Sequence, residues 1–292
     1  MEKISIKNRS NNLIDLHIYQ AESEKACLII AHGASEHINR YVHFSKFLNE
    51  NNISVIGYNH LGHGPNRLKE DVYFSNEKGD EILVNDLEDV YQYAKEKYNV
   101  PILLFGHSMG SLILRSLCIS TNDLLDGVIL CGSLHPHPIT TQGGLLLANT
   151  ISLIKGKEKA SNFLNKLAFK DLEKVISYNE KNVEEYRLDK DCQMKFSNQA
   201  IIDLMNIINK ITNKNNISKM IKTNYFIISG EDDLFSNKTK QIDEFISLLD
   251  KDVDYSCKYY PNAKHEILNE DIKEEVYQDV LNFINAIVNK KR

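Results

Sequence analysis

The chain has 292 residues, of which 42% are hydrophobic, so it is long enough to form one large domain with a sizeable core. Its formal net charge is −5 at pH 7 and no long basic run is present, which argues against nucleic acid as a partner. No apolar run is long enough to span a bilayer, and the first residues lack the apolar segment of a signal peptide, so we expect a cytoplasmic protein.

Seven short apolar runs predict β-strands, because they are rich in β-branched and aromatic residues. They are residues 13–19, 27–31, 53–58, 102–105, 128–131, 225–229 and 255–260. Patterns typical of helices lie between most of these strands and after the last one, at residues 41–48, 84–98, 110–120 and 272–288. Strands that alternate with helices predict an α/β fold, in which helices cover both faces of a mostly parallel sheet.

The alternation stops in the middle of the chain, where helical patterns continue without convincing strands. This change predicts a helical cap, residues 135–220, inserted between two parts of the core, residues 1–134 and 221–292. Apolar residues are dense at 144–154 and again at 201–211. We expect most of them to pack the cap onto the core, and the surplus to face a pocket.

The segment before and after Ser108 has the form of a nucleophile elbow. An apolar strand leads into Gly106-x-Ser108-x-Gly110, and a helical pattern follows. In such an elbow the serine occupies a sharp turn between strand and helix, and its hydroxyl projects from the edge of the sheet. Ser108 is therefore the predicted nucleophile.

A serine nucleophile needs a histidine as base and a carboxylate to orient that histidine, and on this topology the acid precedes the histidine. His265 lies in a loop between the last predicted strand and the final helix, which makes it the preferred base. Asp233 ends a loop that also contains Glu231 and Asp232 and follows the strand at 225–229, so we choose Asp233 as the acid and keep Asp232 as the alternative. Asp254 begins a strand, which is the wrong end of a parallel sheet for a site.

The oxyanion of an ester intermediate requires two backbone N–H donors. Met109 follows the nucleophile and supplies the first by position. The loop Ala31-His-Gly-Ala-Ser-Glu-His37 follows an early strand, and there Ala34 is the predicted second donor.

Five segments together resemble one family. His32-Gly-Ala-Ser-Glu-His-Ile-Asn-Arg-Tyr41, Gly62-His-Gly64, Gly106-His-Ser-Met-Gly110, Gly230-x-x-Asp233 and His265-Glu266 are similar to the monoacylglycerol lipase and lysophospholipase branch of the α/β-hydrolases, over essentially the whole chain. The resemblance implies the same triad of Ser108, Asp233 and His265, with Ala34 and Met109 as oxyanion donors.

The resemblance also implies that Glu36 and Arg40 shape the polar, alcohol-binding end of the pocket. An ion pair between them that only fixes the start of the next helix is an equal alternative, because they are four residues apart. Ser35 stands where relatives commonly have glycine, and Asn59 where many have aspartate. Both differences bear on substrate specificity.

No metal or cofactor is expected. The five cysteines are scattered and have no C-x-x-C spacing, the histidine pairs His60/His63 and His135/His137 have no carboxylate or cysteine beside them, and nucleotide-binding glycine motifs are absent.

The predicted function is a serine carboxylic-ester hydrolase for single-acyl-chain lipids that works through an acyl-enzyme. Its partner is a small acyl ester, and transient contact of the cap with a membrane surface is possible in this interpretation; the sequence does not indicate an oligomeric state. Two alternatives remain: an aminopeptidase or amidase of the same fold, for which the cap offers the acids Glu184 and Glu185, and a non-catalytic protein that binds a lipid or small ligand.

Overall fold

One twisted sheet organises the protein, whose computed structural model describes residues 1–65, 67, 69–169 and 172–291. The described residues form eight strands: β1 Glu2–Lys7, β2 Leu13–Tyr19, β3 Ala26–Ala31, β4 Ile53–Tyr58, β5 Ile102–His107, β6 Gly127–Cys131, β7 Asn224–Gly230 and β8 Asp254–Tyr260. Their order across the sheet is β1-β2-β4-β3-β5-β6-β7-β8. Strands β3 to β8 are parallel, whereas at one edge β2 runs antiparallel to both of its neighbours, β1 and β4.

Helices cover both faces of this sheet. The α-helices are α1 Val42–Glu50, α2 Gly79–Lys97, α3 Met109–Ser120, α4 Pro138–Lys155, α5 Asn162–Ala168, α6 Leu172–Val175, α7 Glu180–Leu188, α8 Asn198–Thr212, α9 Lys214–Ile217, α10 Lys240–Ser247 and α11 Lys273–Lys291. Short 3-10 helices occupy Ile38–Tyr41 and Ile267–Asn269. None of the helices in the described ranges is long and apolar enough to cross a membrane.

The central strands are apolar on both sides because each side faces a different core. Leu103 and Phe105 of β5 pack in the core with α1 and α11, whereas Ile102 and Leu104 pack in the core with α2, α3 and α10. Successive side chains of a strand point to opposite faces, so a strand buried twice loses the polar alternation of a half-exposed one. The predicted α/β fold is confirmed.

Two elements were missing from the sequence prediction. β1 pairs with β2 at the edge of the sheet, and only the alternation of Ile4 and Ile6 with polar residues signals it. α10 follows the loop of Asp233 and buries Ile242 and Phe245.

The segment between β6 and β7 contains helices α4 to α9 and, within its described residues, no strand. We refer to residues 135–220 as the cap; this division of the chain remains a prediction. The cap packs on the core mainly through α8, which contacts α2 and α3 of the core as well as α4 of the cap.

A buried arginine joins the cap to the core. Arg115 of α3 is fully buried and donates to the carbonyl of Leu134 at 2.8 Å and to that of Ile211, in the last turn of α8, at 3.2 Å. Its guanidinium also lies 3.8 Å from the centre of the Phe245 ring. Burial lowers the pKa of Arg115 to about 9, so the guanidinium stays charged at pH 7. Its bonds to Leu134 and Ile211 hold residues near the start and the end of the helical segment between β6 and β7.

Candidate active site

The strained turn at Ser108 joins β5 to α3. Ser108 has φ of 48° and ψ of −119°, a conformation that residues with a Cβ rarely adopt. A Cβ on Gly106 would lie 2.6 Å from the carbonyl oxygen of Gly110, and one on Gly110 would lie 2.1 Å from that of Ala31. The two glycines are therefore required for strand and helix to approach this closely. The positive end of the α3 dipole also lies next to Ser108, where it favours negative charge.

Asp233 and His265 form a buried hydrogen-bonded pair. His265 Nδ1 lies 3.0 Å from Asp233 Oδ2, and Asp233 also accepts from the amide of Phe235 at 2.9 Å and the hydroxyl of Ser229 at 3.2 Å. His265 and Ser108 line the same cavity. The structure therefore brings the three predicted catalytic residues to one place.

The charges of this pair support each other. Burial alone would raise the pKa of the Asp233 carboxyl, but the attraction and hydrogen bond of His265 outweigh it and hold that pKa below its ordinary value. Burial alone would lower the pKa of His265, but Asp233 outweighs it and raises that pKa above its ordinary value. The carboxylate therefore stays ionised and favours a protonated imidazole.

The alternative acids lie elsewhere. Asp232 accepts from the Tyr178 hydroxyl at 3.1 Å and from Lys238 at 3.2 Å. Glu231 is exposed, and Asp254 is exposed at the start of β8, where it pairs with Lys290 at 3.3 Å. Asp233 is the member of this group that contacts His265.

The loop after β3 is held on both sides of Ala34. The amide of Gly33 donates to Glu36 Oε1 at 2.6 Å, and the amide of Ser35 points at His63 Nε2 at 3.4 Å. Burial lowers the pKa of His63 to about 3, so His63 is neutral and can accept this bond. Ala34 and Met109 line the cavity together with Ser108. Their roles as oxyanion donors remain predictions that this arrangement permits.

The two departures from the family pattern each make a structural contact. Ser35 has φ of 56°, the left-handed region that favours glycine, and its hydroxyl donates to the carbonyl of Met194 at 2.9 Å. Asn59 accepts from the amide of Ile38 at 2.9 Å and so holds the start of the 3-10 helix. Ser35 thus ties the loop of Ala34 to the cap.

Glu36 and Arg40 belong to a buried cluster of charges. Arg40 contacts Glu36 at 3.2 Å, and it binds Glu266 more closely through two bonds of 2.6 and 2.8 Å. Burial opposes the ionisation of Glu36, but the hydrogen bond of His107 and the charge of Arg40 hold the pKa of Glu36 well below its ordinary value. Glu36 and Glu266 line the cavity, whereas Arg40 lies behind them, held by Glu266 and Asn182. The ion pair of the alternative interpretation is present, and Glu36 in addition reaches the cavity.

The cavity over Ser108 has a volume of about 160 Å³ and is mostly apolar. Its lining from the cap consists of Ala168, Phe169, Leu172, Ile176, Tyr186, Ile201, Leu204, Met205 and Ile208. Glu36, His107 and Glu266 form its polar end. An apolar chamber with convergent polar groups at one end is typical of small-molecule sites.

Residues 22–272 match the family model described as Hydrolase_4, serine aminopeptidase S33. The chain belongs to this family. Among curated proteins, this hydrolase is 24% identical over 271 residues to a monoglyceride lipase homolog of Monkeypox virus, with 89% of each chain covered. It is 25% identical over 282 residues to monoglyceride lipase of Homo sapiens, covering 91% of this chain and 83% of that one.

Solved structures confirm the α/β-hydrolase fold. A thermostable carboxyl esterase from Bacillus coagulans superimposes with a TM-score of 0.89 at 21% identity, covering 98% of each chain. A soluble variant of monoglyceride lipase from Saccharomyces cerevisiae, in complex with a substrate analog, superimposes with a TM-score of 0.79 at 18% identity, covering 98% of this chain and 94% of that one. The resemblance that the motifs suggested is confirmed at the level of family and fold.

Sequence reasoning assigned no role to His107, Glu266 or Arg115 in this hydrolase. His107 and Glu266 belong to motifs named above, but their partners are distant in the chain. His107 contacts Glu36 across 71 residues, and Glu266 contacts Arg40 across 226 residues. Arg115 looks like an ordinary polar residue of α3, and only the fold reveals that it is buried.

Proposed function

We propose that this hydrolase is a serine carboxylic-ester hydrolase that cleaves single-acyl-chain lipids of the monoacylglycerol or lysophospholipid type. The observation that carries the proposal is the hydrogen-bonded pair of Asp233 and His265 beside Ser108, at the floor of an apolar cavity. The names of the curated relatives, which are monoglyceride lipases, point to the same substrate class.

In the proposed mechanism, Ser108 Oγ attacks the ester carbonyl carbon while His265 Nε2 accepts the hydroxyl proton. The N–H groups of Ala34 and Met109 donate to the oxyanion. His265 then returns the proton to the leaving alcohol, which leaves an acyl group on Ser108. A water activated by His265 releases the fatty acid and regenerates the serine.

The cavity favours one acyl chain over several. Its apolar lining comes mainly from the cap, and the polar groups at its other end, Glu36, His107 and Glu266, lie where the polar leaving alcohol would be. A space of this size accommodates a group about as large as benzene, so it holds the first part of a long chain, and the rest requires a shift of the cap helices.

Contact of the cap with a lipid surface is part of the proposal. Ile139, Leu146 and Leu153 of α4 are spaced by seven residues, so they share one helix face, and all three are more than 70% exposed. Phe163 and Leu167 of α5 are also exposed. Exposed apolar residues grouped on one element are typical of a surface that binds lipid or a partner.

Ser108→Ala tests the nucleophile. We expect the variant to lose hydrolysis of p-nitrophenyl butyrate, and labelling by a fluorophosphonate probe, while its circular dichroism spectrum is unchanged. Ser120→Ala, at the other end of α3, is the matched control and should keep both activities. Normal turnover by Ser108→Ala, or a label on another serine, would disprove the mechanism.

The substrate class is tested with lipids that differ in the number of acyl chains. We expect kcat/KM for monoacylglycerols and lysophospholipids of medium to long chain to exceed that for triacylglycerols, because one acyl channel accepts one chain. Measurement by fatty-acid release should include triolein, and a faster rate on triolein would contradict the proposal.

The alternatives receive less support. An aminopeptidase needs a free carboxylate for the substrate ammonium, but the carboxylates among the described lining residues, Glu36 and Glu266, are both bound by Arg40. Glu184 and Glu185 are exposed on α7 and lie outside that lining. Hydrolysis of amino-acid p-nitroanilides faster than of esters would favour this alternative, and a purified protein that binds lipid but does not react with the fluorophosphonate would favour a binding protein.

A further inference from the structure

Three residues with metal-binding side chains meet beside the loop of Ala34. They are His37, which precedes the first 3-10 helix, and Asp189 and Cys192, which lie between α7 and α8 of the cap. One ligand atom from each residue, an imidazole nitrogen, a carboxylate oxygen and the sulfur, lies within 4.8 Å of the others. Imidazole, carboxylate and thiolate are the three ligand types that zinc takes from proteins.

His37 is more than nine-tenths buried, and among the described residues one of its two ring nitrogens has no hydrogen-bond partner. Its Nε2 lies 2.8 Å from Asp189 Oδ2, but its Nδ1 is buried and has no hydrogen-bond partner among the described residues. Buried imidazole nitrogens normally have a hydrogen-bond partner, but the bond with Asp189 satisfies only Nε2 of His37. Cys192 is also buried and is a free thiol.

The surroundings favour a cation. The guanidinium of Arg40 interacts with the Cys192 thiol, but it is bound by both Glu36 and Glu266. These three charges sum to −1, and Asp189 adds another negative charge. A divalent cation at this point therefore meets a net negative field.

We propose that His37, Asp189 and Cys192 form a site for a thiophilic divalent cation such as Zn²⁺, which clips the cap to the loop that follows β3. The ligand atoms of a tetrahedral zinc lie about 3.3 to 3.8 Å apart, so side-chain shifts of about 1 Å close the site. On binding, the metal replaces the thiol proton of Cys192, which passes to solvent, and a fourth position stays open to water.

Such a clip joins segments that already touch. The amide of Gln193 donates to the carbonyl of Ser35 at 3.0 Å, and the hydroxyl of Ser35 donates to Met194. The metal would therefore strengthen an existing contact between cap and core. The sequence analysis predicted no metal site, and this cluster gave no sign in the spacing of the chain because His37 is more than 150 residues from Asp189 and Cys192.

Cobalt tests the site directly, because a cobalt–thiolate bond absorbs in the near ultraviolet. Titration of the full-length protein with Co²⁺ should give a charge-transfer band that saturates at one equivalent and disappears when Zn²⁺ is added. Cys192→Ser should lose the band. Cys257→Ser, which removes the exposed cysteine on β8, is the matched control and should keep it.

Thermal unfolding gives a second readout that is independent of activity. At a hundredfold excess over its Kd, Zn²⁺ should raise Tm by about 5 °C in the wild type and in Cys257→Ser, and by much less in Cys192→Ser. Asp189→Asn can still accept a hydrogen bond from His37, so it should fold normally but bind more weakly. A band and a Tm shift that survive in Cys192→Ser, or a wild type that shows neither, would overturn the proposal.

Discussion

The pair of Asp233 and His265 makes the proposed chemistry depend on pH. Only neutral His265 can accept the proton of Ser108, and Asp233 raises the pKa of His265 above its ordinary value although burial opposes this. We therefore expect kcat/KM for p-nitrophenyl butyrate to fall as the pH is lowered, with a midpoint above 6.5.

The variant Asp233→Asn separates the charge of Asp233 from its shape. Without the carboxylate the pKa of His265 should fall, which moves the acid limb to lower pH, and kcat should drop by about 10³ to 10⁴ because the histidine tautomer is no longer fixed. If the pH profile of Asp233→Asn were unchanged, a group other than His265 would control the fall in kcat/KM at low pH.

At the scale of single residues, the sequence predicted the site residues that directly follow a predicted strand. Ser108, Asp233 and His265 each follow a predicted strand, and parallel strands end at one edge, so their proximity could be anticipated. The cluster of Arg40 with Glu266 and Asn182 could not, because its members lie far apart along the chain, and Asn182 reaches it only through the packing of the cap.

In the loop after β3, Ser35 makes two opposite contributions to stability, an unfavourable backbone conformation and a favourable hydrogen bond. A residue with a Cβ at φ of 56° costs about 1 kcal/mol relative to glycine, while the hydroxyl bond to Met194 contributes about 1 kcal/mol. Ser35→Gly loses both and should be close to neutral. Ser35→Ala loses only the bond, so it should be about 1 kcal/mol less stable than Ser35→Gly.

Urea denaturation of the two Ser35 variants measures this difference directly. The same variants separate rigidity from stability, because Ser35→Gly frees the backbone beside Ala34 and should lower kcat without a matching loss of stability. Equal free energies of unfolding for the Ala and Gly variants would mean that the left-handed backbone is not the source of strain.

Among whole elements, the buried strands were predictable and the marginal ones were not. β5 is a continuous apolar run because it is covered twice, whereas β1 is a half-exposed edge strand with only two isoleucines facing inward. α10 is short, and only three of its eight residues are apolar, so its sequence pattern is weak. The helix is stabilised more by the burial of Ile242 and Phe245 than by its local helix propensity.

At the scale of the whole molecule, the exposed face of α4 predicts binding to lipid surfaces. Leu153→Glu places a charge where an apolar side chain would enter the interface, so partitioning onto phosphatidylcholine vesicles should fall roughly tenfold. Flotation with vesicles measures it. Leu124→Glu is the control, because Leu124 is equally exposed but lies in the loop between α3 and β6.

Hydrolysis of a soluble ester by Leu153→Glu should stay normal, since Leu153 is exposed and is not among the residues that line the cavity. Equal loss of vesicle binding in both leucine variants would indicate that charge alone, and not the α4 face, governs the contact. The α/β arrangement of the whole chain followed from alternating patterns, but which cap residues face outward followed only from the structure.

The glycines of the elbow also determine where this enzyme can change over evolutionary time. Because Gly106 and Gly110 meet backbone atoms of each other and of Ala31, no neighbouring side chain can move to accommodate a larger residue there. The turn at Ser108 and the loop of Ala34 therefore approach each other through main-chain atoms, and random mutagenesis at Gly106 and Gly110 should yield inactive or unfolded protein. New substrate preferences should instead arise from libraries in α8, where flexible side chains such as Met205 form the wall of the cavity.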